Sequence, residues 1–385
     1  MFIVDIEHWF YVAPPHRLVK QIIAILQTMY AKFIFVWILG FATLMIVLTS
    51  YLASIHDDNF EQNVSRLQLT NSTKVILLWN PFFESLDYGF GFGDVPFRQN
   101  KCEYTNCYIT NNTSYRSPFE FDAIVFHAPR LKLFPAMSTR TYRQRYVFFS
   151  MESPENFKTN QFFDNFFNWT ITYRNDSDIY SPFYGEIKRR EKIIELEHKK
   201  FTKKKGVAWM VSNCVTPSGR EDYVQELRRH IPVDVYGKCG TNNCPKQHKK
   251  KCYEMIERDY KFYLSFENSL CKDYVTEKLF NILQYDIIPV VYGAAEYERI
   301  LPPNSYINAL DYDPYELANL LRDIGDDPNK YRKYLKWKEE YGVNLKIKHA
   351  FCELCKKLHT DIQIKFYRDF NKWWIDGSKC TQGPI

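Results

Sequence analysis

A long apolar run near the N-terminus constrains this chain more than any other feature. Residues 33–53 form 21 positions without a charged side chain, which as a helix cross about 30 Å of hydrocarbon. Trp37 and Tyr51 lie near its two ends, where amphipathic rings favour the membrane interface. A cleaved signal peptide has a shorter apolar run that starts nearer the N-terminus. The run therefore predicts one transmembrane helix that stays in the mature protein as a signal-anchor.

The charges on either side of this run set its orientation. Basic side chains precede it and acidic side chains follow it, namely Arg17, Lys20 and Lys32 before it and Asp57, Asp58 and Glu61 after it. Because positive charge is retained on the cytoplasmic side, residues 1–32 are predicted to form a cytoplasmic tail. Residues 54–385 are then predicted to lie in a lumen or outside the cell.

Sequons and cysteines support the same topology. All six Asn-x-Ser/Thr sequons lie beyond the run, and these glycosylation candidates are Asn63, Asn71, Asn111, Asn112, Asn168 and Asn175. All ten cysteines lie there as well, in a compartment where disulfides persist. Both patterns are typical of a single-pass type II membrane glycoprotein.

The overall composition excludes two broad classes of protein. Hydrophobic residues make up 45% of the chain, which is too many for a disordered protein. Lys and Arg total 51 and Asp and Glu total 45, so the net charge is +6 with both signs interspersed. A nucleic-acid-binding protein concentrates basic charge on one face, so no nucleic-acid partner is predicted.

The luminal part divides into a stem, two domains and a tail. Residues 54–73 are polar and predict a stem, and strand-like apolar runs predict a first domain over residues 74–200. The highly charged stretch 186–205 predicts a solvated helix at the domain junction. Strands alternating with helices over residues 201–365 predict βαβ units and a parallel sheet. Residues 366–385 are predicted to be a C-terminal tail.

Polar side chains follow the strands of the second domain, where parallel sheets bind ligands. They are Arg220, Glu267, Asn268, Tyr274, Glu277 and Lys278. Arg220 and Lys278 begin predicted helices, and a cation at each of two helix N-termini suits a diphosphate. Asn268 and Glu277 can bond sugar hydroxyls, and Tyr274 can stack on a base or sugar. An exposed Glu–Lys pair on a helix face is the open alternative.

The cysteines predict disulfides, with alternatives at one pair. Cys352 and Cys355 form a C-x-x-C pair that suits a structural disulfide, a redox pair, or half a zinc site with His349 and His359. Because this pair lies in a basic C-terminal segment and not near a βαβ unit, a structural disulfide is predicted. Local bridges are also predicted between Cys102 and Cys107 and between Cys239 and Cys244. The sequence alone does not pair the other four cysteines.

One long stretch resembles the signature of a known family. Residues 262–293, FYLSFENSLCKDYVTEKLFNILQYDIIPVVYG, resemble the F-x-L-x-F-E-N-S…D-Y-[VI]-T-E-K-[LI]…P-V-V-x-G pattern of the α1,3/4-fucosyltransferases. Residues 147–156, 168–185 and 207–227 match further family segments in the right order. Phe183 departs from the pattern, because the family usually runs directly Pro-Tyr-Gly, and a shifted loop is expected there.

The resemblance implies a fold, a donor and a set of roles. It implies an α/β GT-B fold, in which two Rossmann-like domains face a cleft, with residues 74–200 binding the acceptor and residues 201–365 binding GDP-fucose. It also implies inversion at the fucose anomeric carbon. By matching motifs, Arg220, Lys278 and Tyr274 would contact the GDP diphosphate and its surroundings, Asn268 and Glu277 would hold the ribose or fucose, and Glu152 would be the general base.

The role of Glu152 has structural alternatives on the sequence alone. Glu152 ends an aromatic strand and precedes Ser153 and Pro154, so the chain is expected to turn there. Apolar neighbours are expected to raise the pKa of its carboxyl. The alternatives are that Glu152 caps the turn or pairs with Arg143 or Arg145.

No cofactor is expected to be required. Glycosyltransferases of the other main fold hold a metal through an Asp-x-Asp motif, and this chain has two such patterns, Asp176 with Asp178 and Asp311 with Asp313. Asp176 and Asp178 fall in the presumed acceptor domain, and Asp311 and Asp313 are typical of a turn and helix cap. A divalent cation is therefore expected to stimulate the reaction at most.

The sequence thus predicts a Golgi enzyme with a luminal catalytic part. The expected reaction moves L-fucose from GDP-fucose in α1,3 linkage to GlcNAc of glycoprotein glycans, with the N-glycan core favoured. The alternatives are antennal LacNAc or LacdiNAc fucosylation, a transferase of similar fold with another nucleotide sugar, and an inactive membrane-anchored glycan-binding module. Assays of donor hydrolysis with several nucleotide sugars and of acceptor transfer separate them.

Overall fold

The computed structural model describes most of the chain beyond residue 71 and a short piece of the predicted anchor. The described residues are 37–51, 72–131, 140–195, 205–345 and 349–383. The chain divides into two units, one up to residue 71 and one from Ser72 onward. In the first unit, helix α1 spans residues 37–51. The rest of the predicted anchor, the cytoplasmic tail, and the sequons at Asn63 and Asn71 lie outside the described residues.

The predicted transmembrane helix is not shown by the structure. Within the described ranges, no helix is both long enough and apolar enough to cross a membrane. The described part of the run predicted over residues 33–53, residues 37–51, is helical.

The first domain is built on a parallel sheet of six described strands. They are β1 (Lys74–Leu78), β2 (Cys107–Thr110), β3 (Ala123–His127), β4 (Arg145–Ser150), β5 (Trp169–Thr172) and β6 (Ile179–Tyr180), in the order β2-β1-β3-β4-β5-β6. Every neighbouring pair is parallel. Strand β4 reads RYVFFS and is buried along its whole length, as expected for a strand covered on both faces.

A two-stranded sheet joins the end of the first domain to the second domain. Strand β7 (Glu186–Arg189) pairs antiparallel with β13 (Tyr341–Asn344), and Glu186 lies opposite Asn344. The prediction of a solvated helix over 186–205 is therefore wrong where the chain is described. The charged residues of β7 keep their side chains partly or fully exposed while their backbone pairs with a segment more than 150 positions away.

The second domain has a parallel sheet of five described strands. They are β8 (Lys205–Met210), β9 (Val233–Tyr236), β10 (Tyr260–Phe266), β11 (Ile288–Tyr292) and β12 (Ile307–Asn308), in the order β12-β11-β10-β8-β9. The helices are α3 (Arg220–Leu227), α4 (Lys249–Asp259), α5 (Glu277–Phe280), α6 (Pro314–Asp326) and α7 (Pro328–Lys333), and the five-residue α2 (Val95–Gln99) belongs to the first domain. The two parallel sheets with their helices confirm the α/β class of the predicted fold.

The C-terminal segment returns to the first sheet. Helix α8 (His349–Thr360) contributes Phe351 and Leu354 to the core on one face of that sheet. Helix α9 (Phe370–Trp374) covers the other face, where the Trp374 ring lies 4.9 Å from the Phe148 ring. The segment that packs on the first sheet thus begins at α8, before the predicted domain boundary at residue 365. Between its described strands the first domain supplies only the five-residue α2 as an α-helix, so distant segments supply the apolar cover.

The disulfides differ from the predicted pairs. The bonds are Cys102–Cys352, Cys107–Cys355, Cys214–Cys239, Cys244–Cys252 and Cys271–Cys380. The three predicted local bridges are therefore wrong, although all six of their cysteines are bonded. Cys352 and Cys355 are three residues apart on α8 and so share one helix face. That face lies against the first sheet, which brings both sulfurs to partners on the first domain.

The zinc alternative does not fit this arrangement. Cys107, Cys355 and His359 do come together, and His359 Nε2 lies 3.8 Å from Cys107 Sγ. However, both sulfurs are joined in a disulfide, and a zinc site needs thiolates.

The described sequons fall into two groups. Asn111, Asn112 and Asn175 are exposed, as a glycosylation site requires. Asn168 is 1% exposed, its Oδ1 accepts from the Tyr146 N–H at 2.8 Å, and its Nδ2 donates to the Lys365 carbonyl at 2.8 Å. The prediction of Asn168 as a glycan acceptor is therefore wrong for the folded protein, because its amide is enclosed and bonded.

Removal of the two bonds between α8 and the first domain is expected to destabilise the protein strongly. They join residues 250 and 248 positions apart, whereas Cys244–Cys252 spans 8 positions. In the loop-entropy model, replacing Cys102, Cys107, Cys352 and Cys355 by alanine lowers the free energy of unfolding by about 8 kcal/mol, and replacing Cys244 and Cys252 by about 2.5 kcal/mol. Denaturant titration of the secreted protein measures both values. If the four-cysteine variant lost no more unfolding free energy than the Cys244 and Cys252 variant, the two disulfides that join α8 to the first domain would not stabilise the fold as expected.

Candidate active site

Glu152 lies where the two domains meet. It follows β4, and the turn expected at Pro154 is closed by a hydrogen bond from the Asn156 N–H to the Ser153 carbonyl at 3.0 Å. The carboxylate of Glu152 accepts from the Tyr274 hydroxyl at 3.3 Å and from Asn156 Nδ2 at 3.2 Å. Tyr274 belongs to the second domain, so this carboxylate is held from both sides of the cleft.

The arginine alternative for Glu152 does not hold. The guanidinium of Arg145 donates to the carbonyls of Tyr142 and Arg143 at 3.1 and 3.0 Å. Arg143 Nε donates to the Tyr142 hydroxyl at 2.8 Å. Both arginines are thus bonded within their own segment, and the carboxylate of Glu152 is bonded to Tyr274 and Asn156 instead.

Burial raises the pKa of the Glu152 carboxyl above its usual range. The positive charge of Lys278 and the hydrogen bond from Tyr274 act in the opposite direction, whereas the negative charges of Glu277 and Glu267 add to the rise. The expected direction of the shift is confirmed. A raised carboxyl pKa suits a group that must take a proton near neutral pH.

The buried carboxylate of Glu267 holds the side chain of Lys278, the cation that the sequence predicts at the start of α5. Glu267 is 1% exposed and accepts from the Thr276 N–H at 2.8 Å and from Lys278 Nζ at 2.9 Å. The sequence placed Glu267 at this sheet edge but gave it no role. Burial lowers the pKa of Lys278, but the charges of Glu267 and Glu277 outweigh this effect and the pKa is raised overall. Lys278 therefore remains a cation at the N-terminus of α5.

Arg220 lies at the predicted sheet edge but is enclosed. Its side chain is 3% exposed, and its guanidinium donates to the Phe266 carbonyl at 2.7 Å, to the Asn213 carbonyl at 3.0 Å and to Glu221 Oε1 at 3.0 Å. These bonds tie the loop after β8 to the end of β10. Arg220 thus shapes the start of α3, and its direct contact with a diphosphate stays a prediction.

Tyr274 lies at the predicted sheet edge, but its ring is enclosed. Its side chain is 1% exposed, and its ring packs at 5.0 Å from the Tyr173 ring. A ring buried in this way has no face on which a base or sugar can stack. The hydroxyl, however, reaches Glu152, so the residue bonds to the candidate base from the second domain.

Asn268 and Glu277 lie at the edge as predicted. Asn268 Oδ1 is buried and has no hydrogen-bond partner among the described residues, and buried acceptors of this kind are rare in folded proteins. Such an atom fits a site that awaits a polar ligand. Burial would raise the pKa of Glu277, but the charges of Lys278 and Lys249 hold it below its usual range. Glu277 is therefore an ionised hydrogen-bond acceptor.

The C-terminal tail supports the loop that carries Tyr274, a feature that the sequence did not reveal. Cys380 is bonded to Cys271, the Thr381 N–H donates to the Leu270 carbonyl at 2.9 Å, and the Lys272 N–H donates to the Ser378 carbonyl at 2.8 Å. The sequence offered one signal, two unassigned cysteines. The tail thus holds the loop through one covalent bond and two backbone bonds.

The Asp-x-Asp carboxylates are engaged in the fold. Asp176 pairs with the buried Arg174 at 2.5 Å, and Asp178 accepts from the Tyr367 hydroxyl at 2.8 Å. Asp313 accepts from the Tyr315 and Glu316 N–H groups at the start of α6, which confirms the predicted helix cap. Asp311 accepts from Asn308 Nδ2 at 2.7 Å.

Known proteins are similar to this chain in structure and in sequence. The solved structure of an α1,3-fucosyltransferase with GDP is similar over 76% of this chain and 92% of its own length, with a TM-score of 0.49 and 17% identity. The α-(1,3)-fucosyltransferase C of Drosophila melanogaster is 36% identical over 342 residues, which cover 80% of this chain and 79% of that protein.

Two further relatives differ in what their names describe. The glycoprotein 3-α-L-fucosyltransferase A of Drosophila melanogaster is 35% identical over 83% of this chain and 64% of its own length. The human 4-galactosyl-N-acetylglucosaminide 3-α-L-fucosyltransferase FUT5 is 35% identical over 78% of this chain and 80% of its own length.

Two family models together match almost the whole second unit. The model described as "Fucosyltransferase, N-terminal" matches residues 71–184, and the model described as "Glycosyltransferase family 10 (fucosyltransferase) C-term" matches residues 200–373. These matches and the identity to the relatives confirm the resemblance found in the sequence. The chain belongs to glycosyltransferase family 10, the fucosyltransferases.

Proposed function

We propose that this chain is an inverting α1,3-fucosyltransferase that moves L-fucose from GDP-fucose to a GlcNAc residue of glycoprotein glycans. One observation carries the proposal. The carboxylate of Glu152, whose pKa is raised, accepts a hydrogen bond from Tyr274 of the second domain, and the positive charge of Lys278 acts on it electrostatically. A base and a cation that face each other across a cleft are what an inverting displacement needs.

The proposed reaction is a single displacement. Glu152 takes the proton from the acceptor hydroxyl, and the oxygen of that hydroxyl forms a bond to the anomeric carbon of fucose. The bond from that carbon to the diphosphate breaks, and GDP leaves with the electron pair. Lys278, held by Glu267 at 2.9 Å, stabilises the negative charge that develops on the diphosphate. The base and the leaving group lie on opposite sides of the carbon, so its configuration inverts.

The N-glycan core GlcNAc is the proposed acceptor. The name of one Drosophila relative, a glycoprotein 3-α-L-fucosyltransferase, supports a glycoprotein substrate. The name of the human relative, a 4-galactosyl-N-acetylglucosaminide 3-α-L-fucosyltransferase, favours antennal LacNAc among the alternative acceptors, which also include LacdiNAc. The alternative of an inactive glycan-binding module predicts binding without turnover of the donor.

A panel of acceptors tests this assignment. Purified luminal protein with GDP-fucose is expected to fucosylate a glycopeptide that carries the N-glycan core, and to act at least tenfold more slowly on free LacNAc. Mass spectrometry of the product glycopeptide, before and after mannosidase digestion of its glycan, shows whether the new fucose is on the core. Faster transfer to LacNAc would replace the core assignment by the antennal one, and glycan binding with no donor turnover would contradict the proposed activity.

We further propose that the enzyme is a single-pass type II protein of the Golgi membrane. The charge-free run at 33–53 and its flanking charges support the anchor. Five disulfides and three exposed sequons in the described part support a luminal catalytic unit. In the proposed reaction, the side-chain cation of Lys278 stabilises the diphosphate. A divalent cation is therefore not required and would stimulate the reaction at most.

The variant Glu152→Gln is expected to lose most of its turnover. Glutamine keeps the size and can still accept from Tyr274, but it cannot take a proton. A positioned base contributes about 10²–10⁴-fold, so kcat should fall by that factor while GDP affinity and the melting temperature stay close to wild type. Steady-state kinetics and calorimetry measure these values. Retention of most activity would remove Glu152 as the base, and Glu155→Gln on the following turn is the matched control.

The variant Tyr274→Phe is expected to shift the pH dependence of the reaction. The Tyr274 hydroxyl stabilises the ionised form of Glu152 and so lowers its pKa. Its removal raises that pKa further, and because only the ionised carboxylate acts as a base, the acid limb of kcat/KM moves to higher pH. Tyr223→Phe, whose buried hydroxyl donates to the carbonyls of Ala309 and Tyr312, should leave the limb in place. If the acid limb of the kcat/KM profile did not move in Tyr274→Phe, the Tyr274 hydroxyl would not control the pKa of Glu152.

A further inference from the structure

A segment rich in lysine lies at the ligand-binding edge of the second sheet. It spans residues 237–251, from the end of β9 into the first turn of α4, and we call it the lysine loop. Helices α3, α4 and α5 follow the parallel strands β8, β9 and β10, so all three begin at the same carboxyl edge of the sheet. The lysine loop presents four exposed cations at this edge, which are Lys238, Lys249, Lys250 and Lys251.

Two disulfides hold the lysine loop in place. The bond between Cys244 and Cys252 closes it onto the first turn of α4. The bond between Cys214 and Cys239 ties it to the loop that follows β8 and leads into α3. Because both ends are fastened, the lysines are presented from a fixed position beside the start of α3.

Lys249 lies close enough to the start of α5 to act on it. Its Nζ is 5.8 Å from the centre of the Tyr253 ring, and that ring packs at 6.0 Å against the Tyr263 ring of β10. Burial would raise the pKa of Glu277, but the charges of Lys278 and Lys249 hold it below its usual range. The lysine loop and the candidate diphosphate site therefore share one electrostatic surface.

The two predicted diphosphate cations are already paired with carboxylates. Lys278 Nζ lies 2.9 Å from Glu267 Oε2, and Arg220 Nε lies 3.0 Å from Glu221 Oε1. Glu277, 3.8 Å from Lys278, adds a further negative charge to this edge. The fields of paired opposite charges largely cancel at a distance. The site can thus stabilise a diphosphate in contact with it, but it attracts an anion only weakly from further away.

The lysine loop supplies the unpaired positive charge that this site lacks. Among the residues that the structure describes, Lys238, Lys249 and Lys251 form no ion pair, whereas Lys250 lies 3.8 Å from Glu254. We propose that the lysine loop is a steering surface that draws the anionic nucleotide sugar to the candidate donor site. The inference rests on the proposed function and adds a step that precedes the chemistry. Charges that line the approach to a site raise association rates by about 10–10³-fold, and salt screens them.

Stopped-flow binding of GDP that carries a fluorescent methylanthraniloyl group tests the steering surface. The triple variant Lys238→Gln, Lys249→Gln and Lys251→Gln is expected to lower the association rate constant about tenfold at low ionic strength. The dissociation rate constant should stay within twofold of wild type, because steering acts on the approach and not on the bound state. In 1 M salt the screening length falls to about 3 Å, so both proteins should associate at the same rate.

The opposite edge of the same sheet offers a matched control. Helix α7 lies at the amino end of β10, where the Tyr331 hydroxyl donates to the Lys261 carbonyl at 2.7 Å. The exposed cations on this helix and just after it include Arg332, Lys333 and Lys336. Changing these three to glutamine removes the same charge far from the donor edge, and the association rate constant should stay within twofold of wild type.

The outcomes separate failure of the steering surface from failure of the proposed function. Association of the lysine-loop variant at the wild-type rate in low salt overturns the steering surface. An equal fall in both triple variants also overturns it, because net charge alone would then explain the effect. Unchanged GDP association with slower transfer to an intact glycoprotein would assign the loop to the acceptor protein instead. If the wild-type protein binds GDP with steered association but transfers fucose to no acceptor, the steering surface stands and the proposed function fails.

Discussion

The hydrogen bond between Tyr274 and Glu152 is the contact on which the candidate site depends. Its length is 3.3 Å, and it joins the end of a strand in the first domain to a loop of the second. Beside it, the Ser153 hydroxyl donates to Ser269 at 2.7 Å. A base on one domain and a cation on the other are useful only if their separation is fixed, and these bonds fix it.

The C-terminal segment makes this contact possible. After the second domain is complete, the chain returns to the first sheet through α8 and α9, and then reaches the Tyr274 loop through the Cys271–Cys380 bond. Arg174, 1% exposed, donates to the Trp373 carbonyl at 2.5 Å and to Ser378 Oγ at 3.0 Å. A buried arginine with several partners is costly to disturb, so the tail is held as firmly as a core element.

Two carboxylates at the cleft have pKa values that move in opposite directions. Burial raises the pKa of Glu152, whereas the charges of Lys278 and Lys249 outweigh burial at Glu277 and lower its pKa. Such a divergence is a common sign that two acids have different tasks. Glu152 suits proton transfer, and Glu277 suits a permanent charge that accepts hydrogen bonds from a sugar and holds Lys278 in place.

The sequence revealed what depends on local pattern and missed what depends on distant contacts. Both parallel sheets and the position of Glu152 at a strand end followed from apolar runs and from Pro154. The disulfides did not, because the separation of Cys352 and Cys355 shows only that they share a helix face and not which surface that face meets. The enclosure of Tyr274 was equally hidden, since its covering residues lie about 100 positions away on either side.

Chemical rescue of Glu152→Ala tests the central claim most directly. If Glu152 is the base, added formate can occupy the space that alanine leaves and take the acceptor proton in its place. Fucose transfer to the glycopeptide should then rise with formate concentration, whereas Glu277→Ala should show no such rise. Absence of rescue at any pH, in a variant that still binds GDP and melts like the wild type, would contradict the assignment of Glu152 as the base.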